Sequence, residues 1–94
     1  MSSTRLDLPE RLDLAATCTL AKDLIARRGG PLDLNAAAVA RIGTPGLQVL
    51  LSAARTWRAD GQILRLTDAS PVLQEAVRTL GLDLAELCAE GNLN

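Results

Sequence analysis

Few side chains in this chain of 94 residues could do chemistry, and their arrangement points to binding rather than catalysis. No histidine is present, so the commonest general base is missing, and with it every Ser-His or Cys-His nucleophile pair. Cys18 and Cys88 stand far apart, without the C-x-x-C spacing of a redox or zinc site. Zinc would then need unusual carboxylate-rich ligation. Both thiols are expected to be reduced and to serve as small hydrophobes, with no metal and no cofactor. The carboxylates are scattered with no paired constellation for acid–base work. The glycines form neither G-x-x-x-x-G-K nor G-x-G-x-x-G, the loops that cradle phosphates. No enzymatic activity is expected. Thr44 stands out as a hydroxyl at an expected helix start, and Arg41, Gln48, Ser52 and Arg55 flank it on the expected outer surface, where a solvated polar face is the ordinary reading. A hydroxyl at a helix start is a feasible phosphorylation point, because the helix dipole and free N–H groups favour an anion there.

The elements that must position these residues follow from periodicity. From Thr4 to Leu14, the leucines at 6, 8, 12 and 14 alternate with mostly charged residues, the period of a half-buried strand. Pro9 breaks the run into two short edge strands, or a strand and a bend. Asp13 suits a helix N-cap. Ala16, Leu20, Ala21, Leu24 and Ile25 then follow helical spacing, with Lys22, Arg27 and Arg28 outside. Gly29-Gly30-Pro31 ends that helix, and Leu32 and Leu34 mark a short second strand. Residues 36–43 read as a loop or irregular turn. Thr44 is read as the next N-cap, worth about 1 kcal/mol, with Pro45 at the first helical position. Leu47, Leu50, Leu51, Ala54 and Trp57 form that helix's inner stripe, while Gln48, Ser52, Arg55 and Arg58 face outward. Gly43 and Gly46 read as residues chosen for backbone geometry.

Asp60-Gly61 closes the helix with a left-handed cap. Residues 63–66 form the next strand. Ser70-Pro71 opens a further helix with Leu73, Ala76, Val77 and Leu80 inside and Gly81 at its end. A last amphipathic turn carries Leu84, Leu87 and Cys88 before a polar tail. Strand, helix, strand, helix, strand, helix implies parallel neighbours joined by crossovers. The expected fold class is α/β, a small mixed, largely parallel sheet against helices. It is read as one domain over 1–94, with a core from about 6 to 82 and a short amphipathic segment from 83 to 94.

Charge and composition exclude several classes. Net charge is −1, and no basic run exceeds Arg27-Arg28, so neither the footprint of a nucleic-acid binder nor a polybasic membrane patch is present. One Trp with no Phe or Tyr leaves no aromatic platform for base stacking. No apolar stretch approaches the roughly 18 residues of a spanning helix, and the N-terminus lacks a secretory h-region. A cytoplasmic protein with no direct membrane insertion is expected.

Read in order, several segments resemble STAS domains. Leu12-Asp13-Leu14-Ala15-Ala16 is similar to the E-L-D-L-A-T that opens their first helix. Leu34-Asn35, seven residues, then Gly43-Thr44-Pro45-Gly46-Leu47 is similar to V-D-L-S-x-V-x-x-I-D-S-S-G-L. Residues 61–66, G-Q-I-L-R-L, with Ser70-Pro71 are similar to the following G-x-x-L-x-L and S-P-x-V. The resemblance runs from about Leu6 to Leu82. It implies a non-enzymatic module that docks onto a partner through the loop and helix after the signature, a surface drawn here from Asn35, Arg41, Gly43, Thr44, Gln48, Ser52 and Arg55. Anti-sigma-factor antagonists of this family bind a serine kinase and are phosphorylated at the first Ser of D-S-S-G, which aligns with Thr44. A second branch sits on the ATPase of a phospholipid transporter and carries D-T-A-G here. A third consists of short stand-alone proteins encoded among bacterial chemotaxis genes, and residues 42–54, I-G-T-P-G-L-Q-V-L-L-S-A-A, look closest to it. The partner implied is thus a serine kinase, a chemotaxis protein or a transporter ATPase. Asn35 and Gly43 stand where switchable antagonists carry Asp, the pattern of a member that binds without being phosphorylated.

Overall fold

Alternation of leucine with charge builds a sheet with one oily face and one wet one. The computed structural model describes residues 4–90. In chain order it contains β1 (Thr4–Asp7), β2 (Arg11–Leu12), α1 (Leu14–Ala26), β3 (Leu32–Asn35), β4 (Arg41–Ile42), α2 (Thr44–Ala59), β5 (Ile63–Thr67), α3 (Pro71–Thr79), a 3-10 turn (Leu84–Leu87) and β6 (Ala89–Glu90). The main sheet runs β1-β3-β5-β6, with β1, β3 and β5 parallel and β6 antiparallel to β5. Leu6, Leu34 and Leu66 align across the three parallel strands, as do Leu32 and Leu64. Leu32, Leu34 and Leu64 are fully buried. The intervening rows, Arg5-Asp33-Arg65 and Asp7-Asn35-Thr67, fall on the opposite face because side chains alternate along a strand. Parallel sheets are usually covered on both sides and read as continuous apolar runs. Here one row in two is polar.

A single core gathers these leucines with Leu8, Leu12, Leu20, Leu24, Leu50, Trp57, Leu73, Val77, Leu87 and Ala89. Small side chains allow close approach: Ala54 is fully buried and Ala53 nearly so on α2. Asp13 caps α1 by accepting the Ala16 N–H at 2.9 Å, and the Ser70 hydroxyl caps α3 by accepting the Leu73 N–H at 3.2 Å. Gly61 and Gly81 take φ of 68° and 73°, the left-handed conformation that ends α2 and α3. Arg28 clamps Asp60 with two bonds of 2.8 and 3.1 Å, tying the end of α1 to the end of α2.

Several sequence expectations are corrected. Residues 36–43 are not all loop, since Arg41–Ile42 pair in parallel with Arg11–Leu12 to form a second, two-stranded sheet. Ile25 is 75 % exposed, because the buried stripe of α1 is Thr17, Leu20 and Leu24, and the residue after Leu24 turns away from it. Leu80 is the C-cap of α3 rather than a core residue, and is 48 % exposed. Leu51 is half-buried, while Ala53 and Gly46 join the buried face of α2. Cys18 is exposed on α1, so it fills no core space. The polar tail opens with a strand, since Ala89 and Glu90 pair with Leu64 and Ile63. Residues 1–3 and 91–94, the ends of the expected domain, lie outside the described residues.

A candidate docking site at the start of the second long helix

Two strand–helix units lie side by side and set up the region around Thr44. Arg11-Leu12 leads into α1 and Arg41-Ile42 leads into α2, with Arg11 opposite Arg41 and Leu12 opposite Ile42. The Glu10 carbonyl fixes this register by accepting the N–H groups of Ala40 at 2.7 Å and Arg41 at 3.1 Å. The Ser70 hydroxyl holds the preceding loop by donating to the Val39 carbonyl at 2.6 Å. Gly46 allows the start of α2 to close onto the small sheet. A Cβ there would lie 3.0 Å from Ile42 Cγ1 and 3.3 Å from Leu12 Cβ, so the expected geometric role holds for this glycine. It does not hold for Gly43, whose φ of −100° and ψ of 176° are open to any residue and whose added Cβ would meet only Pro45 Cδ at 3.7 Å. An aspartate would fit at 43, so its replacement by glycine is a chemical difference and not a steric one.

The expected N-cap is displaced by one residue. Gly43, not Thr44, is the extended residue that opens α2, and no side chain caps the helix. The cause is the pairing of Ile42 with Leu12. It carries the extended backbone only as far as Gly43, so Thr44 enters the helix as its first residue and Pro45 as its second. Thr44 is exposed, and its hydroxyl has no hydrogen-bond partner among the described residues.

Thr44, Gln48, Ser52 and Arg55 are spaced by four, four and three residues, so they share one face of α2, and all four are exposed. Arg41 and Gly43 continue this strip at its N-terminal end, both exposed. Asn35 does not join it through its side chain. Its Nδ2 donates to Asp7 Oδ1 at 3.1 Å and its Oδ1 accepts the Ala37 N–H at 3.1 Å. Arg5, and after it Asn35, holds the Asp7 carboxyl below the usual aspartate range. The depressed value means that Asp7 favours folding once ionised, and that this contribution fades as pH falls through its folded pKa. Asn35→Asp, which restores the acid of switchable antagonists, would replace a donor by a like charge. Asp7 should then titrate at higher pH than in the parent, and the stability its ionisation brings should shrink, with Arg5 still favouring the charged form. Carboxyl carbon NMR titrations of both proteins check this, and an unmoved Asp7 would show that the two side chains are not coupled.

Two residues beside this strip were not anticipated. An open cleft of about 340 Å³ is lined by Arg11, Leu12, Asp13, Leu14, Arg41, Ile42, Gly43 and Pro45, so Arg11 and Leu14 from the first strand–helix unit join Arg41 and Gly43 from the second. The signal available in the sequence was the repeated Arg-aliphatic pair, Arg11-Leu12 and Arg41-Ile42, one residue short of α1 and of α2. On the other flank, Ser52 borders an apolar groove of about 200 Å³ between α1 and α2, floored by Leu24, Ala53 and Trp57 and edged by Ile25. Among the described residues no group of three or more Cys, Asp and Glu side chains is arranged to hold a metal ion. No helix among them is long and apolar enough to cross a membrane.

A family model described as "Mlab, STAS domain" matches residues 1–88. No curated protein and no solved structure matches the chain.

Proposed function

The chain belongs to the STAS domain family, and from that premise we propose that it is a non-enzymatic docking module of bacterial signalling, acting in the cytoplasm. STAS domains are interaction modules that bind other proteins. In this reading the Thr44 loop and the outer face of α2 dock onto a serine kinase, an anti-sigma factor or a chemotaxis protein. The observation that carries it is the uninterrupted exposed strip Arg41-Gly43-Thr44-Gln48-Ser52-Arg55, on a helix whose other side is locked into the core by Leu47, Leu50, Ala54 and Trp57. Such a face is rigid, so little ordering entropy opposes association. A phosphoryl group on the free Thr44 hydroxyl would add nearly two negative charges at an uncapped helix start and change what the strip attracts.

A second reading has its own support. Gly43-Thr44-Pro45-Gly46 has Thr and Gly at the spacing of D-T-A-G, and neither Asn35 nor Gly43 supplies the acid of switchable antagonists. This pattern suits a regulatory subunit held permanently on the ATPase of a phospholipid transporter. Purification under native conditions separates the two, because a stable stoichiometric complex favours the transporter and a weak, phosphorylation-sensitive one favours signalling.

Thr44 provides the test within the chain. With no cap bond to lose, Thr44→Ala should change stability by less than about 0.5 kcal/mol yet weaken the partner measurably. Thr44→Glu should keep the fold, since an acid in the first turn is favoured by roughly 0.3–1 kcal/mol, and should weaken a phosphorylation-sensitive partner further. Unchanged affinity in both variants would remove Thr44 from the interface, and with it the docking reading.

A further inference from the structure

We propose that the cleft between the two helix starts receives an acidic, leucine-containing segment of the protein partner, gripped by Arg11 and Arg41. This deepens the docking reading and rests on it for the existence of a protein partner.

Arg11 and Arg41 are register partners on adjacent parallel strands, and both are exposed. Paired strands lie about 4.8 Å apart, and residues in register project from the same side. Leu12 and Ile42 point into the protein, so the two guanidinium groups project outward together. The ion pairs among the described residues engage Arg5, Arg27, Arg28 and Arg78, and neither Arg11 nor Arg41 has a side-chain hydrogen bond. Neither guanidinium has a carboxylate within ion-pair distance among the described residues, so both are open to an external anion. The one carboxylate lining the cleft, Asp13, is engaged at the cap of α1. The start of α2 adds uncapped N–H groups of the same sign.

The rest of the cleft is apolar. Leu14 is 70 % exposed at the start of α1, and Pro45 is exposed at the start of α2. A planar guanidinium pair selects carboxylates with two-point geometry, and the Leu14–Pro45 wall selects an aliphatic side chain beside them. The cleft is continuous with the Thr44 strip, because Gly43 and Pro45 line it on either side of Thr44.

The probe is the blocked hexapeptide Glu-Glu-Leu-Leu-Glu-Glu, titrated into the ¹⁵N-labelled full chain at low salt. Amide shifts should concentrate at Leu14 and at residues 41–44. Affinity should fall about tenfold when Gln replaces every Glu of the peptide, and should fall as salt rises. The double variant Arg11→Glu/Arg41→Glu, exposed at both positions and so expected to fold, should lose this peptide and gain Lys-Lys-Leu-Leu-Lys-Lys. Equal binding of the Gln peptide, undiminished binding by the double variant, or inorganic phosphate binding the same amides as tightly would each overturn the proposal. Failure of the docking reading is separable with the isolated partner. If Ser52→Arg releases the partner and the arginine reversals do not, the cleft assignment fails and docking stands. If the reversals abolish peptide binding while Ser52→Arg and Arg55→Glu leave the partner bound, the α2 strip fails and the cleft stands.

Discussion

Replacing Trp57 by alanine should remove about 3–5 kcal/mol of stability, much of the reserve of a domain this small. Trp57 is 2 % exposed and is the largest buried side chain. It lies at the floor of the α1–α2 groove with Leu24 and Ala53. Its neighbours on α2 are alanines and leucines, and no other aromatic ring exists in the chain to move into the space. The cavity would therefore persist, and cavity and transfer costs would add. The indole also donates to the Gly30 carbonyl at 2.8 Å, pinning the turn between α1 and β3. Trp57→Phe should keep most of the packing and lose this bond, at about 1–3 kcal/mol. Urea titrations followed by far-ultraviolet circular dichroism check both, since the variants have no indole fluorescence. A loss below about 1 kcal/mol for Trp57→Ala would mean that the core closes over the vacancy and is not held by this ring.

Ser52→Arg and Arg55→Glu should each weaken the partner at least about a hundredfold, roughly 3 kcal/mol, while leaving the unfolding midpoint nearly unchanged. Both side chains are exposed on α2, so the folded domain has room for either replacement. In a packed interface the long arginine at 52 would force the surfaces apart, and the reversed charge at 55 would leave a partner group unpaired. Lys22→Glu, on the exposed side of α1, is the control and should do neither. Calorimetric titration of each variant against the isolated partner reads the loss. Retained affinity in both α2 variants with loss in Lys22→Glu would move the interface to α1 and the groove edged by Ile25.

Local chemistry alone determined much of this protein. Glycine and proline punctuate every long element, and Asp13 and Ser70 cap their helices as their types require. Period-2 leucines at 6, 12, 32 and 34 revealed strands, because one sheet face stays wet and the alternation survives in a parallel sheet, whereas Leu14, read in the same run, opens α1 and is exposed. The ordered motifs were enough to suggest the STAS resemblance that the family match bears out. Pairings distant in sequence decided the rest. Thr44 looked like a cap because Thr-Pro is a sound local signal, yet the pairing of Ile42 with Leu12, thirty positions away, set which residue is the last extended one. Ile25 and Leu80 carry apolar side chains at helical spacing, but Ile25 turns away from the buried stripe that ends at Leu24 and Leu80 is the C-cap of α3, so both are exposed. Two-residue strands such as β4 and β6 are too short for any period and exist only because a partner strand is already in place. The cleft belongs wholly to this second kind. Arg11 and Arg41 are ordinary solvated charges in the sequence, and only the parallel register sets them side by side.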